Sequence, residues 1–287
     1  MKTDNSSWKY LSLNFNKELS DALQQQHHAA QFIALVGRHL IPQKDDDSNT
    51  NMQYMPDKEL LVGNKLSNSL RLALKLSNLK LYLFNKENNF KKEILLDRKT
   101  KQQVFEELKQ TLAAFGIDSY KFINELHYQI PTHNLDKGSP FLVNDKKYLQ
   151  ENTFYRHNAE IVLNEIVEEF EKAEPVRVWP HHFDTGSFIP IAYNGKGGVS
   201  KSVGLGWAIP DSMVNEPYYY LSFWSENPTG GVKDLPAPAA GEWIKTGWNG
   251  GILKLSELLD KSSATEQYNL VKSFFNSGIK ILTDHFK

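Results

Sequence analysis

The stretch LRLALKLSNLKLYLF, residues 70–84, decides the class of fold. From Leu70 to Ser77, leucine alternates with Arg, Ala, Lys and Ser, and this period of two predicts a β-strand with one buried face and one solvated face. Ser77-Asn78 predicts a turn into LKLYLF, and NKENN, residues 85–89, predicts a second turn into KKEILL. The three segments together indicate an antiparallel meander.

Helical segments separate the runs of strands, so the sequence predicts an α+β fold with largely antiparallel sheets covered by about four helices. The helices are expected near residues 17–40, 100–115, 149–172 and 265–283. Asn16 is a typical helix cap, and Thr100 with Gln103 forms a capping box. Alternation from Tyr120 to Ile130 predicts one more strand in the first half. In the second half, strands are expected at 176–179, 183–192, 203–209, 218–224, 242–246 and 252–255.

The length of 287 residues suits one large domain, which we expect to span residues 1–287. The segment PTHNLDKGSP, residues 131–140, reads as a loop, and it divides the chain into two halves of similar size, 1–142 and 143–287. Both halves contain strands and helices, without detectable repetition of sequence. Two halves packed as one unit are therefore the expected variant of the single domain.

Composition limits the classes of partner. The formal net charge of -1 offers no overall field for nucleic acid, and no segment approaches the length of a membrane span. The chain has no cysteine, which excludes disulfides and thiolate metal sites, and its N-terminus MKTDNSSWKY lacks the apolar core of a secretory signal. We expect a cytoplasmic protein whose partner is a small molecule. Composition leaves its oligomeric state and any cofactor unknown.

The segment GKGGVSKS, residues 195–202, resembles a phosphate-binding loop but departs from it in a decisive place. Ser200 occupies the position of a glycine that lets backbone N–H groups turn towards phosphate. The residues that follow, VGLGWAIP, favour a strand rather than the helix that such a loop requires. The segment is therefore expected to be the loop of a solvated hairpin.

A more specific pattern begins at WPHHFD, residues 179–184, and continues with PD at 210–211, EPYYY at 216–220 and Trp224. In this order the motifs resemble a bacterial family of uncharacterised proteins that carry a domain of unknown function. The similarity extends over most of the chain. The resemblance implies a shared fold and a site near these motifs, and it implies no established activity.

The same motifs supply the candidate site residues. If residues 181–186 are extended, His182 and Asp184 project to one face, so His182 is the acid-base candidate and Asp184 its orienting partner. The expected ligand-binding residues are Trp179, Asp211, Glu216, Tyr218, Tyr220 and Trp224. No metal site is assigned, because a His-Asp pair needs a third ligand, and no spacing places Asp211, Glu216, His27 or His28 beside it.

Two hypotheses of function follow from these residues. In the first, the protein binds a small ligand at the WPHHFD site and has acid-base enzyme activity there. In the second, it is a non-catalytic interaction or scaffold protein, in which Asp184 accepts backbone N–H groups in a tight turn before Gly186. Convergence of His182 and Asp184 with Asp211 or Glu216 on one cavity is what the first hypothesis requires.

Overall fold

A computed structural model describes residues 7–85, 89–227 and 232–286 of the chain. The fold is α+β, as the sequence predicts, with two antiparallel sheets of five and six strands. Its helices are α1 (Lys17–Leu40), α2 (Lys101–Ala114), α3 (Lys146–Val167), α4 (Leu255–Leu259) and α5 (Ala264–Phe286). Its strands are β1 (Gln53–Met55), β2 (Leu60–Val62), β3 (Arg71–Lys75), β4 (Lys80–Phe84), β5 (Phe90–Leu95), β6 (Arg177–Trp179), β7 (Asp184–Tyr193), β8 (Val199–Ala208), β9 (Tyr218–Ser225), β10 (Glu242–Ile244) and β11 (Gly250–Lys254).

The chain divides into two compact units. The first unit, which we call the α1 unit, comprises Asn16–Thr153 and Arg177–Phe183. The second, the α5 unit, comprises Met1–Phe15, Phe154–Val176 and Asp184–Lys287. WPHHFD therefore contributes its first five residues to the α1 unit and Asp184 to the α5 unit.

In the α1 unit the strands β1 to β5 follow one another in the sheet as a meander, and the expected hairpin between β3 and β4 is confirmed. The second turn, NKENN, includes positions 86–88, which lie outside the described residues. The solvated face expected for β3 is wrong in part, because Ala73 on that face is fully buried. Neighbouring strands cover it with an apolar cluster of Leu60, Val62 and Phe84.

The helix α1 has the predicted bounds and the predicted cap. The Asn16 side chain accepts a hydrogen bond from the Leu19 backbone N–H at 2.8 Å. The helix is buried on most of its circumference, including an unusual run of polar side chains between Gln25 and Gln31. The capping box of α2 is also confirmed, with Thr100 and Gln103 bonded reciprocally.

The strand expected over Tyr120–Ile130 is not formed, and this segment is irregular. Individual residues of the segment contact helices instead of alternating across a sheet. Phe122 stacks on Phe105 of α2 with ring centroids 4.9 Å apart, and the Glu125 carbonyl accepts a hydrogen bond from His39. Long-range side-chain contacts have replaced the ladder that the local pattern predicted.

In the α5 unit, the strands β7 to β11 are ordered β10-β11-β9-β8-β7. The helix α5 covers one face of this sheet, with Phe274 and Phe275 fully buried. The first half of GKGGVSKS, residues 195–198, closes the β7–β8 hairpin, as the sequence predicts, whereas residues 199–202 belong to β8. There the Asn194 side chain accepts the backbone N–H groups of Lys196 and Gly198. Within the described residues, no helix combines the length and the apolar character needed to cross a lipid bilayer.

Candidate functional site

The α1 unit contains a small cavity at the polar part of α1. Its volume is about 160 Å³, close to the size of a cavity that holds a benzene molecule. Its polar lining consists of His28, Gln31, Lys101, Asn124 and Tyr128. Its apolar lining consists of Phe32, Leu35, Leu126 and Ile130. We call this space the His28 cavity, and its mixed lining is typical of ligand sites.

His28 is fully buried and held at both ring nitrogens. Its Nε2 lies 3.3 Å from the Pro131 carbonyl oxygen, which can only accept, so Nε2 carries the proton. Its Nδ1 lies 3.3 Å from Nζ of Lys101, which can only donate. These two contacts fix the neutral imidazole with one defined tautomer.

The electrostatic surroundings favour that neutral form. The pKa of His28 is lowered to about 4, chiefly by burial and then by the positive charge of Lys101, while Asp136 opposes the shift. Burial of Asp136 disfavours its charge, but hydrogen bonds from the His133 backbone N–H and from Lys101 outweigh this effect and lower the pKa of Asp136. The Lys101 ammonium group therefore lies 2.7 Å from an ionised carboxylate and beside a neutral imidazole.

The WPHHFD turn supports the other polar wall of the cavity. The Pro180 carbonyl oxygen accepts hydrogen bonds from Nε2 of His27 at 2.9 Å and from Nε2 of Gln31 at 3.0 Å. Gln31 in turn accepts a hydrogen bond from the Tyr128 hydroxyl at 2.8 Å. Burial, and then the charge of Asp47, raise the pKa of Tyr128, so it remains a hydrogen-bond donor. The turn thus orients two residues of the His28 cavity.

The backbone of this turn differs from the extended conformation considered for residues 181–186. Residues 180–183 form a turn in which the Phe183 N–H donates to the Trp179 carbonyl oxygen at 2.7 Å. Phe183 has φ of 53°, in the left-handed region that a bulky residue rarely adopts. The ring of Phe183 stacks on His27 with centroids 4.9 Å apart, which offsets this backbone strain. The alternation expected from an extended strand therefore begins only at Asp184.

The two predicted site residues of WPHHFD in the α1 unit, Trp179 and His182, lie close to another ring. Trp179 is half-buried, and its ring centroid lies 6.3 Å from that of His181. His182 is exposed, with its ring 4.4 Å from that of His181. Nothing in the α1 unit tests the acid-base role expected for His182, which stays a prediction.

In the α5 unit, the predicted site residues form two tyrosine-aspartate pairs. The Tyr220 hydroxyl donates to Asp184 at 2.8 Å, and the Tyr218 hydroxyl donates to Asp211 at 2.7 Å. Burial raises the pKa of Tyr218, and the charges of Asp211 and Asp184 raise it further. Burial, followed by Asp184, also raises the pKa of Tyr220 well above its usual value. Both tyrosines therefore remain hydrogen-bond donors to aspartate side chains, and the structure brings Asp184 near both of them.

The last two predicted residues lie elsewhere in the α5 unit. Glu216 accepts the Ser256 backbone N–H at 2.7 Å and the Ser256 hydroxyl at 3.0 Å, so it caps the first turn of α4. Trp224 is 51% exposed and lies four residues beyond Tyr220 on β9, a distance of roughly 13 Å along the strand. The two residues do not join the tyrosine-aspartate pairs.

Metal binding was one alternative for these residues. Among residues 7–85, 89–227 and 232–286, no three His, Cys, Asp or Glu side chains are arranged to hold a metal ion.

A second cavity of about 310 Å³ lies at the start of α1, with Asp21, Gln25 and Leu142 in its wall. The Asp21 carboxylate already has a partner, because its Oδ1 lies 2.9 Å from Nε2 of His133.

From the sequence, His28 was considered only as a third metal ligand, and Lys101, Gln31 and Tyr128 were missed as site residues. The signal for this site was the polar run QQQHHAAQ, residues 24–31, within an otherwise apolar stripe of α1. Buried polar side chains require partners, and the run therefore marked a place where other segments had to supply them.

Comparison with known proteins adds no identity. No family model matches the chain, and no curated protein and no solved structure shows significant similarity to it. The resemblance carried by WPHHFD, EPYYY and Trp224 therefore stays a prediction. The fold and the His28 cavity define an α+β protein with a small, partly polar cavity next to a buried helix.

Proposed function

We propose that the protein binds a small molecule in the His28 cavity. The observation that carries the proposal is a buried neutral histidine whose ring is fixed at both nitrogens beside a cavity of about 160 Å³. Gln31 and Tyr128 are fixed in the same way by the WPHHFD turn. Preorganised polar groups around a partly apolar space are what small-molecule recognition requires.

The proposal changes the part that WPHHFD plays in ligand binding. The Pro180 carbonyl acts through Gln31, so the turn contributes by positioning a residue of the cavity wall. Acid-base catalysis by His182 with Asp184 remains a separate proposal. A cytoplasmic location remains part of the proposal, and the lack of cysteine supports it.

The alternative function, a non-catalytic interaction or scaffold protein, is favoured by one observation. Pro180 accepts two hydrogen bonds from α1, as a purely structural turn would. The two functions differ in whether anything enters the His28 cavity. Binding of small molecules therefore discriminates between them.

The test fills the cavity. Leu35 lines it and is 3% exposed, and Leu35→Phe adds an aromatic ring at that wall. We expect the wild type to bind one or more of phenol, toluene, pentanoate and pentanamide in ligand-observed NMR, and we expect Leu35→Phe to bind at least about tenfold more weakly.

Leu142→Phe is the matched control, because Leu142 lies in the wall of the second cavity and is 39% exposed. This variant should bind as the wild type does. Circular dichroism and a cooperative melt establish that both variants are folded. Absence of binding by the wild type across all four probes, or equal binding by Leu35→Phe, would contradict the proposal and favour the scaffold function.

A further inference from the structure

The hydrogen bonds among the polar residues of the His28 cavity show which N–H and O–H groups remain available to a ligand. Gln31 uses both N–H groups of its amide, one on the His27 carbonyl at 2.9 Å and one on the Pro180 carbonyl. The Tyr128 O–H is committed to Gln31. The Nε2–H group of His28 is committed to Pro131. Three of the five polar residues therefore have no N–H or O–H group left for a ligand.

The other two polar residues retain donors. Nζ of Lys101 carries three N–H groups, and its contacts with Asp136 and with His28 account for two of them. Within the described part of the chain, the Asn124 side chain takes part in no hydrogen bond, and it lies in the exposed part of the wall. The unused donors are thus a cationic N–H group and an amide, both of which suit an oxygen acceptor.

Charge points to the same chemistry. Lys101 is the charged residue of the cavity wall, which includes no carboxylate. The Asp136 carboxylate is not among the lining residues; it lies 2.7 Å from the ammonium group and reduces its field without cancelling the hydrogen bond that the group can still donate. An ammonium ligand would be repelled by the Lys101 ammonium group and would find no carboxylate among the described lining residues of the cavity, so the wall disfavours amines.

The remaining walls set the shape of the ligand. Phe32, Leu35, Leu126 and Ile130 form the apolar lining of the cavity. The volume of about 160 Å³ accepts a molecule of roughly six or seven non-hydrogen atoms. A ligand that satisfies both parts has an acceptor at one end and an apolar chain or ring at the other.

We infer that the His28 cavity selects a small monocarboxylate with an apolar body, whose carboxylate accepts a hydrogen bond from Lys101. This inference rests on the proposed function, since it names the class of ligand for the same site. Charge-assisted hydrogen bonds are about twice as strong as neutral ones, so the carboxylate should bind more tightly than its neutral isostere. Lys101 is then a specificity-determining residue.

The experiment compares three molecules of nearly equal size on the full chain: pentanoate, pentanamide and pentylamine. Isothermal titration at pH 7 should show pentanoate binding about tenfold more tightly than pentanamide, and pentylamine should show no binding. In Lys101→Met, which keeps an unbranched apolar stem, pentanoate should lose this advantage, while the affinity of pentanamide should fall by a smaller factor.

Lys99→Met is the matched control, because Lys99 lies two positions away and pairs with Glu107 outside the cavity wall. It removes the same charge and should leave the tenfold preference unchanged. Equal affinity for acid and amide, a preference for the amine, or the same loss in both variants would overturn the inference. If pentanamide still binds and Leu35→Phe abolishes that binding, the proposed function survives such an outcome. Lack of binding by all three molecules overturns the inference, and the proposed function fails with it if phenol and toluene do not bind either.

Discussion

At the scale of single residues, two neighbouring tyrosines on β9 place their hydroxyl groups in opposite situations. The Tyr220 hydroxyl donates to Asp184, whereas the Tyr219 hydroxyl is buried and makes no hydrogen bond to any described residue. Tyr219 is 3% exposed, and burial raises its pKa. On folding, the Tyr219 hydroxyl loses its hydrogen bonds to water and gains none from the described residues in return, whereas the Tyr220 hydroxyl exchanges water for the Asp184 carboxylate.

Phenylalanine substitutions should therefore have different effects at these two positions. Tyr219→Phe should leave the free energy of unfolding unchanged or raise it by about 1 kcal/mol, since it removes an unsatisfied buried group. Tyr220→Phe should lower it by about 1–3 kcal/mol, because Asp184 loses a donor. Urea unfolding of both variants at pH 7 measures the difference. A larger loss for Tyr219→Phe would show that its hydroxyl has a partner after all.

At the scale of secondary-structure elements, two glycines make room for Tyr220 between β7, β8 and β9. A Cβ atom at Gly186 would lie 2.6 Å from the Tyr220 hydroxyl oxygen, and one at Gly206 would lie 2.5 Å from it. A Cβ at Gly206 would also lie 2.5 Å from the Thr185 carbonyl oxygen, which belongs to the backbone and cannot move aside. The glycines in this sheet therefore follow from close cross-strand packing.

Gly206→Ala should consequently lower the free energy of unfolding by about 1–3 kcal/mol, despite the higher strand propensity of alanine. Gly195→Ala is the control, because no atom lies within 4 Å of a Cβ at that position in the β7–β8 hairpin. We expect it to change stability by less than about 0.5 kcal/mol. Equal effects of the two changes in chemical unfolding would rule out the packing explanation.

At the scale of the whole molecule, the sequence predicted features with local signals and missed those that depend on distant contacts. Asn16 and Thr100 predicted the starts of α1 and α2 correctly, because caps act over three residues. In the cavity wall, His28 contacts Lys101, which lies 73 positions later in the sequence, and Gln31 contacts Tyr128, 97 positions later. A pattern that repeats every two to four residues cannot indicate contacts between residues so far apart.

The same reason explains the errors in the prediction. The segment 120–130 alternates like a strand, yet contacts with α1 and α2 hold it in an irregular conformation. Phe183 adopts a left-handed backbone conformation, which glycine or asparagine usually occupies in turns, so the sequence gives no signal for it. Where tertiary contacts overrule local preference, prediction from periodicity fails.

The buried His28 also makes the stability of the folded protein depend on pH. In the unfolded chain His28 titrates at its ordinary pKa of 6.5, whereas in the folded protein its pKa is about 4. Between these values the unfolded state binds more protons, so the free energy of unfolding falls as the pH decreases. The contribution is fully present above about pH 6.5 and amounts to at most about 3 kcal/mol. It has been lost by about pH 4, below which both states are protonated.

Three charged or titratable groups surround the ring and set this shift. Lys101 at the start of α2 and His133 in the loop disfavour the imidazolium, and Asp136 favours it. His28→Gln removes the titration and keeps an amide N–H that can donate to the Pro131 carbonyl. Urea unfolding between pH 7 and pH 4 should therefore show a smaller decline in the free energy of unfolding for His28→Gln than for the wild type. Parallel declines would mean that His28 is already protonated in the folded protein near pH 6, and that the neutral, donor-fixed ring of the His28 cavity is not its native state.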